Sequence, residues 1–555
     1  MLLKNEDIEL MEKRQEIEAY IEEEQWEEAK KSIKAYGKND FVSVTKKLHE
    51  QYMDFMEATI FYQKMELEKA MEKLRKGIKR TNPKLLDILD GKKKDAELLL
   101  SMIEMKQFCM YCEILEKQEQ SRETTEKLWI WIRDYLLKHV EDTEYQMEFY
   151  PVILYHIAVG FQEKKQWLQC LSSCEEGIEF LKKYKSLLCL KEFLKLHIEV
   201  SKQVGMAEKK ENIEYLEMLS FIEEHILKEY SNEKRLHLGG YFIGDVIKNT
   251  REYIGKTQEE LNDVKENGKG VADPSTLSKI ENGRRNPRRT TCEYYFQKLG
   301  LGDYQIELTP VVGDSFQVQQ LRWNIDHMLS ENQFEKAASY LKQLEKLLDQ
   351  KKAINKQYVQ RVKGVLDYYY RRKITVTQYR ERLIRLLKMT WKDFDVEDTR
   401  KLTRFLNRVE ITILINIAQC YKDERDYKRA IEIYDRLKYY FEEVYPMAGY
   451  SNYSILCYSM EQTLGLSGAY EESIDLIKKE MNLHYFYRNG YWLDKHFYNM
   501  GWNYGKMMLD SKDEVKQKQY KKACQIYLKQ ALKGAIFMED KRIVQLINEK
   551  ETLWF

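Results

Sequence analysis

A short pattern that recurs along the chain restricts its fold more than any other feature. Each copy begins with a large residue, continues with two mostly polar residues and a small residue, and runs into the apolar face of a helix. Clear copies begin at Trp26, Trp167, Phe334, Tyr427, Tyr470 and Tyr520, and weaker copies begin at Leu67, Phe108 and Tyr379. From Phe334 onward the steps between copies are 45, 48, 43 and 50 residues. A period of this length predicts helical hairpins, in which the small residue lets two paired helices approach closely.

Glycine and proline divide the chain into regions. The 555 residues include 24 glycines and 6 prolines, and ten of these glycines and three of these prolines lie between Gly239 and Gly313. Both residue types end helices and form turns, so we expect short helices there and longer helices on either side. We therefore predict N-terminal helical repeats at 1–237, a compact domain at 238–302, a linker at 303–315 and C-terminal repeats at 316–555. The predicted fold class is all-α, with repeat arrays flanking a domain of four to five helices.

The first half of the compact domain carries the signals of two helices. A helix is predicted at 243–254, and Gly255 can adopt the left-handed conformation that closes it. Thr257 then offers an N-cap hydroxyl, and Glu260, three residues later, completes a capping box. A second helix is therefore predicted to begin directly after Thr257.

The second half of the domain carries the signals of two more helices. Asp273 is a suitable N-cap for a third helix, and Pro274 fits its first position, where the missing N–H costs nothing. Leu277 and Ile280 lie three residues apart and therefore face the core together. The helix is predicted to stop at Gly283 and to be followed by a fourth helix at about 290–299.

These strings carry a specific resemblance. TQEEL from Thr257 and STLSKIENGRRNP from Ser275 resemble the helix-turn-helix of lambda-repressor-like regulators, the XRE family. The resemblance implies that the third helix enters the major groove of double-stranded DNA, where Lys279 reads a guanine and Ser275 and Ser278 are weaker readers. It places further DNA-facing residues at Thr257, Gln258, Thr276 and Asn282, with Thr257, Gln258 and Asn282 meeting phosphates. It also implies a buried ion pair between Arg251 and Glu281.

An arginine cluster follows the third helix in a chain whose net charge is only +1. Its members are Arg284, Arg285, Arg288 and Arg289. Release of counterions from DNA would let this patch dominate affinity and make binding strongly dependent on salt. One departure from the family is that 261–274 is about five residues longer than in the compact version, which alters the turn before the third helix.

The flanking repeats resemble a known class as well. The aromatic residue and the small residue of each copy resemble those of tetratricopeptide repeats. Such arrays leave a concave surface lined by the first helix of each pair, although they also serve as spacers or dimerisation arms. A helix-turn-helix followed by such repeats resembles the peptide-sensing, quorum-sensing regulators of Gram-positive bacteria, the Rgg/PlcR-type (RRNPP) group. That group carries its DNA-binding domain at the N-terminus, whereas here about 235 repeat-like residues precede it.

The resemblance to this group implies a homodimer and a short peptide ligand. Side-chain amides on the first helices of the C-terminal repeats would hold the peptide backbone. The predicted ligand residues are Asn416, Asn452, Asn499 and Asn503, with Tyr458 and Trp502 as aromatic walls. Each of these side chains has the alternative of being an ordinary solvated or capping residue.

Other functional classes find little support in the sequence. No Walker, G-x-S-x-G, G-x-G-x-x-G or H-E-x-x-H motif occurs, so we expect neither catalysis nor a cofactor. The Cys109/Cys112 and Cys170/Cys174 pairs lie in helical segments rather than on turns, so buried thiols are expected instead of a metal site. No stretch approaches the roughly 18 apolar residues of a membrane span, and the start lacks a signal peptide. A cytoplasmic location is expected.

The sequence therefore predicts a sequence-specific DNA-binding transcriptional regulator controlled by a peptide or protein ligand in its repeats. Two alternatives remain open. In one, the repeats are a scaffold that recruits a protein partner and DNA binding is secondary. In the other, the chain is a repressor that binds DNA without a ligand.

Overall fold

The computed structural model describes residues 2–3, 5–92, 98–118, 122–227, 241–262, 274–301, 311, 313, 315–446 and 450–554. These residues are predominantly helical, which confirms the all-α prediction. Within these ranges the extended elements are two short strands, Leu2–Leu3 (β1) and Tyr241–Phe242 (β2), which pair in parallel. The pairing places the beginning of the chain beside the compact domain.

The N-terminal region forms helices that pack against their neighbours in the chain. The helices are Asn5–Glu22 (α1), Trp26–Tyr36 (α2), Lys46–Gln63 (α3), Leu67–Thr81 (α4), Pro83–Leu89 (α5), Met102–Lys117 (α6), Arg122–His139 (α7), Thr143–Glu163 (α8), Trp167–Tyr184 (α9), Leu190–Gln203 (α10) and Lys210–His225 (α11). The small residues of the repeat pattern are fully buried, as at Ala29, Ala70 and Cys170. Gly177 permits the closest approach, because a Cβ added there would lie 2.5 Å from Cζ of Phe193.

The described residues of the compact domain form four short helices. They are Ile243–Tyr253 (α12), Gln258–Leu261 (α13), Pro274–Glu281 (α14) and Arg289–Lys298 (α15). The capping box is present: Thr257 N donates to Glu260 Oε2 at 2.7 Å, and Glu260 N donates to Thr257 Oγ1 at 3.2 Å. Gly255 has a φ of +71°, as the end of α12 requires. The predicted Asp273 cap and the lengthened turn at 263–273 lie outside the described residues.

The C-terminal region continues with helical hairpins. Its elements are Phe316–Ser330 (α16), Phe334–Leu347 (α17), Ala353–Val365 (α18) with the π-helical extension Leu366–Tyr370, Val376–Leu387 (α19), Arg408–Asp423 (α20), Tyr427–Tyr439 (α21) with the π-helical extension Tyr440–Val444, Tyr450–Ser467 (α22), Tyr470–Phe486 (α23), Leu493–Asp510 (α24), Glu514–Phe537 (α25) and Lys541–Trp554 (α26). Residues 388–407, between α19 and α20, form a long non-helical connection.

Two hydrophobic cores run through the described helices. One contains buried residues of the N-terminal region together with residues from Ile474 to Ile547. The other joins the compact domain to the first C-terminal hairpins, from Tyr241 to Leu476. Helix α11 packs on α25, where the rings of Tyr215 and Phe537 stack with centroids 3.9 Å apart. The end of the N-terminal array is therefore closed by the last C-terminal hairpin.

Candidate functional site

A buried ion pair holds α12 against α14. Arg251 Nε donates to Glu281 Oε1 at 2.7 Å, and Arg251 Nη2 donates to Glu281 Oε2 at 2.9 Å. The side chains of Arg251 and Glu281 are 10% and 2% exposed. Hydrogen bonding to this carboxylate raises the pKa of Arg251. The bidentate geometry fixes the orientation of α14 relative to α12.

Residues at the start of α13 add to this arrangement. Gln258 is half-buried, and its Nε2 donates to Glu281 Oε2 at 2.6 Å. One side-chain N–H of Gln258 therefore supports the ion pair, and the predicted phosphate contact stays a prediction. Thr257 is exposed, although its hydroxyl accepts from the backbone N–H of Glu260.

One face of α14 is open to solvent. Ser275, Lys279 and Asn282 are exposed, and Ser278 is half-buried. Asn282 Nδ2 donates to the Ser278 carbonyl at 2.8 Å, which places the amide over the last turn of the helix. These four predicted residues are therefore on the accessible side of α14.

Thr276 does not belong to this exposed face. It is only 5% exposed, and its hydroxyl accepts a hydrogen bond from Arg285 Nη1 at 3.0 Å. Thr276 is therefore not open to solvent in this structure, and its contact with DNA stays a prediction. The reason is that Thr276 neighbours Leu277 on the inward side of the helix, a position that the motif alone does not reveal.

The arginine cluster wraps around the end of α14. The backbone N–H groups of Arg284 and Arg285 both donate to the carbonyl of Lys279, at 2.8 and 3.1 Å. Arg284, Arg285 and Arg288 are exposed, and so is Arg289, which pairs with Glu293 at 2.8 Å. Within the described ranges no carboxylate lies at ion-pair distance from Lys279 or from the first three arginines. We call Lys279, Arg284, Arg285 and Arg288 the basic edge.

A cavity of about 790 Å³ lies within the C-terminal repeats. Its walls come mainly from the first helices of the hairpins, α16, α18, α20, α22 and α24, and from α26. The predicted ligand residues all line this one cavity: Asn416, Asn452, Tyr458, Asn499, Trp502 and Asn503. Side chains that lie 87 residues apart in the sequence are therefore brought to a common surface by the stacking of hairpins.

The amides differ in how much of their hydrogen-bonding capacity is used. Asn416 Nδ2 donates to Gln419 at 3.2 Å, while its buried Oδ1 has no hydrogen-bond partner among the described residues. Asn499 Nδ2 donates to Glu461 Oε1 at 2.7 Å. Asn452 is half-buried at the cavity wall. Asn416 thus keeps an acceptor for a bound molecule, and Asn452 is accessible to one.

Asn503 has a structural role that was not predicted. It is 1% exposed, and its Nδ2 donates to Ser473 Oγ at 2.8 Å. A Cβ added to Gly465 would lie 2.6 Å from Asn503 Oδ1, so this side chain fills the space that the glycine leaves. Asn503 therefore makes an interhelical contact through Nδ2, while its buried Oδ1 has no hydrogen-bond partner among the described residues, and its contact with a ligand stays a prediction.

Trp492 and several charged residues of the cavity wall were missed by the sequence prediction. The ring of Tyr458 stacks on Trp492, with centroids 4.8 Å apart and planes 13° from parallel. Arg408, Lys422 and Arg542 also line the cavity. Arg542 belongs to α26, which lies beyond the last copy of the repeat pattern, so periodicity offered no signal for it.

A buried charged network lies beneath this wall. His496 Nδ1 is 2.9 Å from Glu461 Oε2, and both side chains are fully buried. Burial alone would lower the pKa of His496, but the Glu461 carboxylate raises it above its usual value. Burial raises the pKa of nearby Glu480 to about 7. Burial, followed by the charge of His496, lowers the pKa of His484, so this imidazole is neutral. His484 lies 3.4 Å from Glu480.

The connection 388–407 lies between the compact domain and the cavity. The backbone N–H of Phe405 donates to Thr250 Oγ1 at 3.0 Å, and the Tyr253 hydroxyl donates to Asp398 Oδ2 at 3.0 Å. Asn407 ends the connection and caps α20, with its Oδ1 accepting from two backbone N–H groups at 2.9 Å. Helix α20, one of the helices that line the cavity, is therefore attached to α12 through the end of this connection.

The described part of the chain contains neither a membrane-spanning helix nor a group of side chains suited to a metal ion. None of its helices combines the length and apolar character that a bilayer crossing requires. No three His, Cys, Asp or Glu side chains of the described residues converge as metal ligands. All nine cysteines are free thiols, including Cys109, Cys112, Cys170 and Cys174, which are buried.

No family model and no curated protein matches the chain. Among solved structures, Bacillus thuringiensis PlcR in complex with the peptide PapR7 and DNA matches with 19% identity and a TM-score of 0.33, over 56% of this chain and 98% of that one. A signal transduction ATPase with a tetratricopeptide repeat sensor from Pyrococcus horikoshii matches with 14% identity and a TM-score of 0.26, over 88% of this chain and 72% of that one. At these scores neither similarity identifies a family.

Proposed function

We propose that this protein is a sequence-specific DNA-binding transcriptional regulator whose repeats bind a short peptide that controls DNA binding. The observation that carries the proposal is the basic edge. Four cations without carboxylate partners in the described ranges gather at one end of α14, in a chain of net charge +1. Such a local excess attracts a polyanion, and the exposed face of α14 adjoins it.

The contacts around α14 support a reading role for Lys279. The Arg251–Glu281 pair and Gln258 anchor the opposite side of the helix, so its exposed face is presented in a fixed orientation. Lys279 is exposed on that face, and a lysine there can donate to guanine O6 and N7. Arg284, Arg285 and Arg288 supply charge for phosphates, which position the domain without reading the bases.

The cavity supports the peptide part of the proposal. It combines unsatisfied amide groups with an aromatic wall, which suits an extended peptide whose backbone groups must all be satisfied on burial. The contacts available to such a peptide lie on α20, α22 and α24.

The connection 388–407 supports a route from the cavity to DNA. A displacement of α20 moves its cap at Asn407, and with it Phe405, which holds Thr250 of α12. Arg400 extends this attachment, because its guanidinium lies 4.7 Å from the ring centroid of Tyr253. A ligand changes the orientation of α14 only if it binds two arrangements of this segment unequally. We further propose that two copies act on paired half-sites.

Binding to fragments of the protein's own upstream DNA tests the DNA part of the proposal. We expect a footprint on a discrete site, and we expect Lys279→Ala to reduce the preference for that site over unrelated DNA by about 1–3 kcal/mol. Lys521→Glu/Lys522→Glu changes two exposed lysines of α25 and serves as a control that retains the preference. Equal binding to every fragment, unchanged by Lys279→Ala, would instead favour the repeats as a protein-recruiting scaffold.

A further inference from the structure

The charges around the cavity define its ligand more closely. Four acidic and six cationic side chains line it. They are Glu144, Asp326, Asp423 and Glu461, and Arg322, Arg361, Arg408, Lys422, Lys495 and Arg542. What matters for a ligand is which of these charges are already compensated within the protein.

Two of the acidic groups are strongly engaged. Asp326 Oδ1 accepts from Arg361 at 3.2 Å, and Asp326 Oδ2 accepts from Arg322 at 3.4 Å, so one carboxylate serves two guanidinium groups. Glu461 is fully buried against His496, whose pKa is raised, so this pair is compensated internally. Neither acidic group is available to attract a cationic ligand.

Three cations have no such compensation. Within the described ranges no carboxylate lies at ion-pair distance from Arg408, Lys422 or Arg542, whereas Lys495 pairs with Asp540 at 3.3 Å. Burial lowers the pKa of Lys422, the neighbouring Asp423 carboxylate offsets this in part, and Arg542 lowers the pKa again. With six cationic and four acidic side chains, Glu144 and Asp423 included, the lining carries an excess of positive charge.

The distance between these cations sets a minimum length for the bound peptide. Arg408 begins α20 and Lys422 lies 14 residues further along the same helix. At about 1.5 Å per residue the two positions are about 21 Å apart, too far for one carboxylate to meet both. An extended peptide covers that distance with about six residues, at roughly 3.3–3.6 Å each.

We infer that the cavity takes a short acidic peptide with two carboxylates about six residues apart, one meeting Arg408 and the other meeting Lys422 and Arg542. This inference rests on the proposed peptide-binding function and adds the charge and the minimum length of the ligand. The second carboxylate has two chemical sources, an acidic side chain and the free C-terminus of the peptide.

Pools of synthetic seven-residue peptides test the inference with the full-length protein. The first pool has Asp or Glu at the first position and a free C-terminus. The second pool differs from it only in having Asn or Gln at the first position, and the third differs from it only in having an amidated C-terminus. A fourth pool carries both neutral changes. Equilibrium dialysis with mass spectrometry measures the retained fraction of each pool.

We expect the first pool to be retained at least tenfold better than the fourth, and the second and third pools show which carboxylate contributes. Arg408→Glu/Arg542→Glu should abolish this preference. Both residues are exposed, and an acidic residue at the start of α20 suits the helix dipole, so the variant should fold. Lys521→Glu/Lys522→Glu makes the same charge change outside the cavity and should retain the preference.

The outcomes separate the two proposals. If the protein retains all four pools equally well, the acidic-ligand inference is overturned and peptide binding still stands. Retention of none of the pools would overturn the inference together with peptide control, and would leave the DNA-binding part to its own test. Preference for the first pool that survives Arg408→Glu/Arg542→Glu would also overturn the inference.

Discussion

The ion pair between α12 and α14 offers a quantitative test of how the compact domain is held together. Glu281→Ala removes both acceptors of the Arg251 guanidinium and the acceptor of Gln258. Arg251 keeps its bond to the Lys256 carbonyl at 2.9 Å and the partly exposed Glu252 carboxylate at 3.3 Å. Removing one partner of a buried pair costs about 3–5 kcal/mol, and these remaining contacts place the expected loss near the lower end, about 3 kcal/mol.

Hydrogen exchange is the suitable assay, because the loss concerns one part of a large chain. A local loss of about 3 kcal/mol corresponds to exchange that is about a hundredfold faster. We expect this acceleration in the amides of α12 and α14 and unchanged exchange in α3 and α4. Arg251→Met/Glu281→Leu, which removes both charges, should recover most of the protection. Equal exchange in wild type and Glu281→Ala would refute the assignment of the pair as the element that orients α14.

Three further perturbations test the cavity and the repeats. The pKa of Glu480 is raised to about 7 in the folded state, so its contribution to stability is fully present below the unfolded pKa and is lost as pH rises through the folded one. Unfolding at different pH values should therefore show Glu480→Gln gaining about 2.5 kcal/mol on wild type between about pH 5 and about pH 8, and a constant difference would contradict this. Gly177→Ala forces a Cβ to within 2.5 Å of Phe193, so thermal unfolding should show a loss of about 1–3 kcal/mol, whereas Gly160→Ala, with open space around its Cα, should show little change. Thr250→Val removes the acceptor of the Phe405 N–H, and DNA binding measured with and without peptide should show a weaker response; an undiminished response would exclude this route.

The helical hairpins were predictable because their signal is local. The second helices begin at the aromatic residue of the pattern at Trp26, Trp167, Phe334, Tyr427 and Tyr470. Two residues before each of these, the backbone adopts positive φ, from +56° at Asn332 to +93° at Gly468, which reverses the chain in a tight turn. The repeat pattern thus predicts both the position of a turn and the position of a buried small residue, because each depends on only a few neighbouring residues.

The parts of the sites that were not predictable depend on contacts between distant segments. The motif placed Thr276 on the same helix as Lys279 but could not show that Arg285 folds back onto its hydroxyl. Asn503 has the sequence context of a groove residue, yet Gly465 of the neighbouring hairpin leaves the space that buries it. The contribution of Arg542 requires knowing that α26 folds over the cavity. Helical periodicity gives the face of a helix without identifying what covers that face.

The dependence of DNA affinity on salt tests the central claim most directly. The logarithm of the association constant, measured against the logarithm of salt concentration, has a slope of about −0.9 for each phosphate neutralised. If the basic edge binds DNA, Arg284→Glu/Arg285→Glu should make the slope shallower by about 2, while Lys521→Glu/Lys522→Glu leaves it unchanged. A slope that is the same in wild type and in Arg284→Glu/Arg285→Glu would contradict DNA binding through this surface.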